Sequence, residues 1–249
     1  MPYLTSALRG ATGTGTGPGV GAPGPAHPLL ASEDWHALTR TADPLHWVVL
    51  DVAGGPGDRP DPQCLDAVGR LTNAGVRVLG HLDLDRGRGD LPALLDQARR
   101  YRDWYRVGGF YLGRCPVDHS SLRAVRRTVS SVRALLEDPH VVLGQGCHPH
   151  PGYAGAADQL VTFTGPWCDY RWSQVAEWTA DHPPERFCHL VHGVPRSHLD
   201  EALRIARWQG AGTIWFTDRT GRGGAADPWE GMPGYWDEFV SRIGTGVSE

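Results

Sequence analysis

Lysine is absent from this 249-residue chain, and all 24 of its basic residues are arginine. That absence excludes Schiff-base chemistry on a lysine amine and the lysine of phosphate-binding loops. The glycine-rich stretches Gly87-Arg88-Gly89 and Gly221-Arg222-Gly223-Gly224 match neither GxGxxG nor GKS/T, so a nucleotide has no cradle here. No apolar run approaches the ~18 residues of a membrane span. The first nine residues, MPYLTSALR, hold no apolar core of signal-peptide length, so no export, a cytoplasmic location and no membrane partner are expected. The formal net charge is −4 and no basic tract occurs, which argues against nucleic acid as a partner. The five cysteines are odd in number and lack a CxxC pair, which fits reduced thiols rather than a disulfide framework.

What is present is a chain of 40% hydrophobic residues, long enough to bury a sizeable core. Short apolar runs at 45–51, 76–83, 109–112, 141–144, 160–164, 188–192 and 213–217 read as strands. Amphipathic patterns near 32–41, 61–74, 90–105, 119–136, 171–178, 196–208 and 233–243 read as helices between them. This alternation predicts an α/β fold with a parallel sheet, and an eighth strand would close a single (β/α)₈ TIM barrel. Residues 2–8 are the candidate for that strand, within a segment 1–8. The alternative at 21–26 is disfavoured by two prolines and two glycines. Residues 9–28 then form a flexible Gly/Thr/Pro-rich loop, either a first βα loop beside the site or a disordered spacer. Residues 29–243 make the rest of the barrel, and 244–249 a disordered tail.

Barrels of this type place their chemistry at strand C-termini. In order, those ends offer Asp51, then His81, Asp83 and Asp85, then Gly113, Arg114 and Cys115. Next come Gly144, Gln145 and Cys147, then Thr164, then His189 and His192, and last Thr217 and Asp218.

Several segments resemble the spherulin-4 (spherulation-specific) family. They are Gly54-Gly55-Pro56-Gly57-Asp58, Gly75-Val76-Arg77-Val78-Leu79-Gly80, Trp104-Tyr105, His148-Pro149-His150-Pro151-Gly152-Tyr153, Ala157-Asp158, Phe163-Thr164-Gly165-Pro166-Trp167 and Thr217-Asp218. The resemblance covers about Trp35 to Trp236. It implies a barrel similar to (β/α)₈ glycoside hydrolases that cleave α-1,4-linked galactosamine-containing polysaccharide. It further implies an acidic pair ending strand four and a Glu ending strand six, since glycoside cleavage employs two carboxylates. Here the pair falls on Gly113 and Arg114, and the Glu on Thr164. An expected Asn-Pro-Gly is Gly144-Gln145-Gly146, an expected Asn is Asp51, and an expected Tyr is Arg86. The departures collect at the pocket while the framework persists.

Three functions follow as expectations. The first is a repurposed, non-hydrolytic enzyme acting on a small molecule by cyclisation or rearrangement, as in specialised metabolism. The second is a pseudo-glycosidase that holds an oligosaccharide without cutting it, and the third is a glycoside hydrolase with relocated carboxylates. Asp83 and Asp85 are the candidate general bases, with Asp51 beside them. Cys115 is a candidate nucleophile, with buried packing as its plainer role. Arg114 either holds an anionic group of the ligand or pairs with Asp51, Asp83 or Asp85. His81, Gln145, Thr164, His192 and Asp218 would complete the pocket, with Asp218 equally suited to capping a turn. Trp167, Trp172, Trp215 and Trp229 are candidates for stacking on a ligand. No cofactor or metal is expected. Cys147-His148-Pro149-His150 has ligand-type residues but lacks a second cluster unless His81 and Asp83 supply one. Oligomeric state stays open.

Overall fold

Eight short strands carry the apolar runs, and helices cover their outer faces. In this computed structural model, which describes residues 18–41, 43–221 and 227–244, the strands are β1 (Gly19–Ala22), β2 (Leu45–Leu50), β3 (Arg77–Asp83), β4 (Gly109–Gly113), β5 (His140–Gly144), β6 (Gln159–Pro166), β7 (Phe187–His192) and β8 (Thr213–Phe216). Each pairs in parallel with the next, and β8 pairs with β1, closing the barrel. The α-helices are α1 (Ser32–Arg40), α2 (Pro62–Asn73), α3 (Leu91–Arg100), α4 (Leu122–Arg133), α5 (Trp167–Tyr170), α6 (Leu199–Trp208) and α7 (Trp236–Gly244).

Local chemistry sets the helix ends. Asp61 caps α2 by accepting the N–H groups of Gln63 and Cys64 at 2.8 and 3.0 Å, with Pro62 preset for the first turn. Asp90 does the same for α3 through Ala93 N–H, and a π-turn at Tyr101–Tyr105 continues α3 until Arg106 turns left-handed at φ 51°.

Inside the barrel the floor is polar and satisfied. Trp47 Nε1 donates to Gln159 Oε1 at 2.7 Å, and Gln159 Nε2 donates to Thr213 Oγ1 at 2.8 Å. These residues belong to β2, β6 and β8, so the chain of bonds crosses the interior. Burial strengthens such bonds and makes an unpaired partner costly.

Three sequence expectations are corrected. The first strand is Gly19–Ala22, inside the expected loop 9–28 and overlapping the disfavoured alternative, not residues 2–8. Glycine is needed there: a Cβ on Gly19 would stand 2.0 Å from the His46 ring, and one on Gly21 would stand 2.4 Å from the Trp47 ring. The large neighbouring rings fill the space that side chains on β1 would take. Pro23 and Pro25 follow the strand and cost it no ladder bond. Residues 1–17 lie outside the described residues, as do 245–249 of the expected tail, and Gly244 ends α7. No helix spans 171–178, because α5 stops at Tyr170, whose carbonyl accepts the Ser173 hydroxyl at 2.7 Å. No helix among the described residues is long and apolar enough to cross a membrane.

Candidate functional site

The C-terminal ends of the strands surround an open cavity of about 1160 Å³. Residues of one strand two positions apart share a face, so His81 and Asp83 of β3 both turn inward, as do Tyr111 and Gly113 of β4.

Asp51, just past β2, joins two elements. Its Oδ1 accepts Gly55 N–H at 2.8 Å, and its Oδ2 lies 2.8 Å from His81 Nδ1. Burial resists ionisation of this carboxyl, but the His81 hydrogen bond and charge, with the Gly55 and Gly54 amides, outweigh it and hold the acid below the ordinary carboxylate range. An ionised carboxylate only accepts, so the bond places an imidazole proton on Nδ1, and in the neutral ring Nε2 then carries the lone pair. That Nε2 stands 2.5 Å from the point where a Cβ on Gly113 would be. The imidazole therefore occupies the volume over the end of β4.

Asp83 is gripped by Arg114. The guanidinium Nε donates to both carboxylate oxygens at 2.8 and 2.9 Å, and Nη2 lies 3.2 Å from Asp85 Oδ1. Burial pushes the Asp83 carboxyl up, while Arg114 and the Asp85 amide pull it further down, to a net position below the usual range. The backbone there is strained: Asp85, Arg86 and Arg114 have φ of 43°, 54° and 46°. Arg86 N–H donates to Arg114 C=O at 2.9 Å, and Leu84 N–H to Gly113 C=O at 3.0 Å, so the two strained turns brace one another. Strain of this kind collects at functional sites.

Of the residues singled out from sequence, Asp51, His81, Asp83, Arg114, Cys115, Gln145 and Thr164 border the cavity. Asp85 joins them through Arg114. Arg114 takes the ion-pair role rather than standing open for an anion. Cys115 borders the cavity but is buried, and burial pushes its thiol up to about 12, which favours the packing role over a thiolate. Five other candidates do not line the cavity. Trp167 is buried against Tyr170 and His198. His192 stands edge-on behind Trp229, their centroids 5.5 Å apart. Trp215 is buried against Trp236. Asp218 Oδ1 accepts Gly234 N–H at 3.0 Å, a bond to a distant segment, and it is Thr217 Oγ1 that accepts the Arg219 N–H of the following turn. Trp172 is exposed, away from the cavity, whereas Trp229 does line it. Gln145 Nε2 donates to Pro116 C=O at 3.1 Å, while its buried Oε1 has no partner among the described residues.

Tyr111, His27 and Glu230 line the cavity and were not singled out. Tyr111 was open to inference, since it precedes Gly113 by two residues on one strand. The other two sit on loops whose spatial position no periodicity encodes.

The family model described as spherulation-specific family 4 matches residues 25–243. Among solved structures the chain is similar to Sph3 of Aspergillus clavatus in complex with GalNAc, with TM-score 0.80, 23% identity, and coverage of 92% of this chain and 98% of that one. It is also similar to the spore cortex-lytic enzyme SleL of Bacillus cereus, with TM-score 0.59, 9% identity, and coverage of 94% and 76%. No curated protein sequence matches the chain.

Proposed function

The chain belongs to spherulation-specific family 4, and within that frame we propose that it is an enzyme that moves a proton on a hydroxyl-rich, sugar-sized ligand without hydrolysing it, as in a cyclisation or rearrangement. The observation that carries this reading is the position of His81. Its Nδ1 is held by Asp51, and its Nε2 stands over Gly113. A neutral imidazole oriented by a carboxylate is suited to general-base work. Hydrolysis by the usual route needs two carboxyl groups with separate roles. At the strand ends Asp83 is engaged by Arg114 and Asp51 by His81, and the other cavity carboxyls, Asp118, Asp227 and Glu230, stand on loops. The cavity volume and the GalNAc held by Sph3 support a sugar-like ligand.

The test is incubation in D₂O with GalNAc and with galactosamine-containing oligosaccharides, followed by NMR and mass spectrometry. The expected result is carbon-bound solvent deuterium in the ligand with no new reducing ends, abolished by His81→Asn while calorimetric affinity changes little. Reducing ends that disappear in Asp83→Asn would instead mark a working hydrolase. Binding without any exchange would assign the cavity to glycan holding.

A further inference from the structure

Beside the cavity, two distant parts of the chain bring three metal-ligating side chains together. His27 comes from the loop after β1, and Asp61 and Cys64 come from the start of α2. His27 Nε2 lies 3.4 Å from Asp61 Oδ2 and 3.4 Å from Cys64 Sγ. All three donor atoms fall within 4.8 Å of one another. Bond lengths of ~2.0–2.3 Å at tetrahedral angles require ligand-to-ligand edges of ~3.3–3.6 Å, so both edges to His27 fit a zinc-type ion, and the third lies within 4.8 Å.

The carboxylate divides its work. Asp61 Oδ1 accepts the Gln63 and Cys64 N–H groups, which leaves Oδ2 turned toward His27. Cys64 is fully buried, and His27 and Asp61 are part-exposed, so the cluster is open on one side only. His27 also lines the cavity.

We propose that His27 Nε2, Asp61 Oδ2 and Cys64 Sγ form a binding site for a divalent zinc-type cation, with the fourth coordination position open. The mixed sulfur, nitrogen and oxygen donor set matches zinc rather than magnesium or calcium, which take oxygen ligands. The site is independent of the Asp51–His81 chemistry. It ties the loop that walls the cavity to the first turn of α2. Binding through Nε2 requires the ring proton on Nδ1, which now accepts Leu29 N–H at 3.2 Å. Metal binding therefore releases that amide and shifts the neighbouring Leu30, a cavity-lining residue.

The test uses the full chain stripped with a chelator and titrated with Co²⁺ as a visible probe, then with Zn²⁺. The expected result is one Co²⁺ per chain with tetrahedral d–d bands and a thiolate charge-transfer band, displaced by Zn²⁺, together with a metal-dependent shift of the Leu29 amide resonance. Cys64→Ser should abolish the charge-transfer band. His27→Gln, at a part-exposed position that tolerates change, should weaken Co²⁺ binding at least tenfold with circular dichroism unchanged. Cys147→Ser, at an exposed thiol, should change nothing. Absence of stoichiometric Co²⁺ binding, or a thiolate band unaffected by His27→Gln, would overturn the site and leave the three residues as a helix cap.

Discussion

His81 and the backbone of Gly113 are mutually exclusive with any side chain between them, because His81 Nε2 stands 2.5 Å from a Cβ built on Gly113. Gly113→Asp therefore cannot place an acid at the end of β4 while His81 stays on Asp51. The substitution should destabilise the protein by about 1–3 kcal/mol, the usual cost of overpacking. Adding His81→Ala should recover most of that loss. Urea denaturation of the single and double variants checks this, and unchanged stability of Gly113→Asp would refute the exclusion.

Arg114 governs the ionisation of Asp83. The folded-state carboxyl lies below its ordinary value, so its stabilising contribution is fully present above the unfolded value of about 3.9 and is lost as pH falls through the folded one. Arg114→Ala should raise the Asp83 midpoint toward the ordinary range, as read by carboxyl ¹³C NMR. Arg114→Gly, which also relieves the left-handed backbone at φ 46°, should be more stable than Arg114→Ala by roughly 1 kcal/mol.

Cysteine alkylation should separate the five thiols by exposure. Cys147 and Cys168 are exposed, whereas Cys64, Cys115 and Cys188 are buried. Iodoacetamide at pH 8 should label the first two in the native protein, and the other three only after denaturation. Rapid native labelling of Cys115 in a mass-spectrometric time course would restore it as a reactive residue.

His189 should make the fold acid-sensitive. It is fully buried, shares hydrogen bonds with Tyr170 Oη at 2.9 Å and Thr162 Oγ1 at 3.1 Å, and burial pushes its pKa down to about 3. Between that value and the unfolded ~6.5, the unfolded chain binds the extra proton, so stability falls as pH falls, by up to about 1.4 kcal/mol per unit from this group. His189→Gln should be less stable at pH 8 but show a shallower acid slope. Denaturant titrations from pH 8 to 4 measure both.

The alternation of β-type and helical runs, and the residues Gly113 and Thr164 at two strand ends, stand in the chain itself. Seven strands lie close to their expected positions, because an apolar run bounded by turn residues is a local property. The eighth does not: β1 is legible only once the His46 and Trp47 rings are seen to need glycine opposite them. Asp51, His81, Asp83 and Arg114 are all identifiable as strand-end residues. Their pairing is not, because it depends on barrel closure and register.

The amino-acid sequence by itself determined a parallel β/α chain, since residue type and period suffice for that, and its motifs carry the resemblance to its family. Tertiary structure alone decided that an imidazole fills the place over Gly113, that Arg114 is spent on Asp83, and that His27 meets Asp61 and Cys64. Each of these is a distance between residues far apart in the chain, and only packing across the closed barrel and its loops sets such distances.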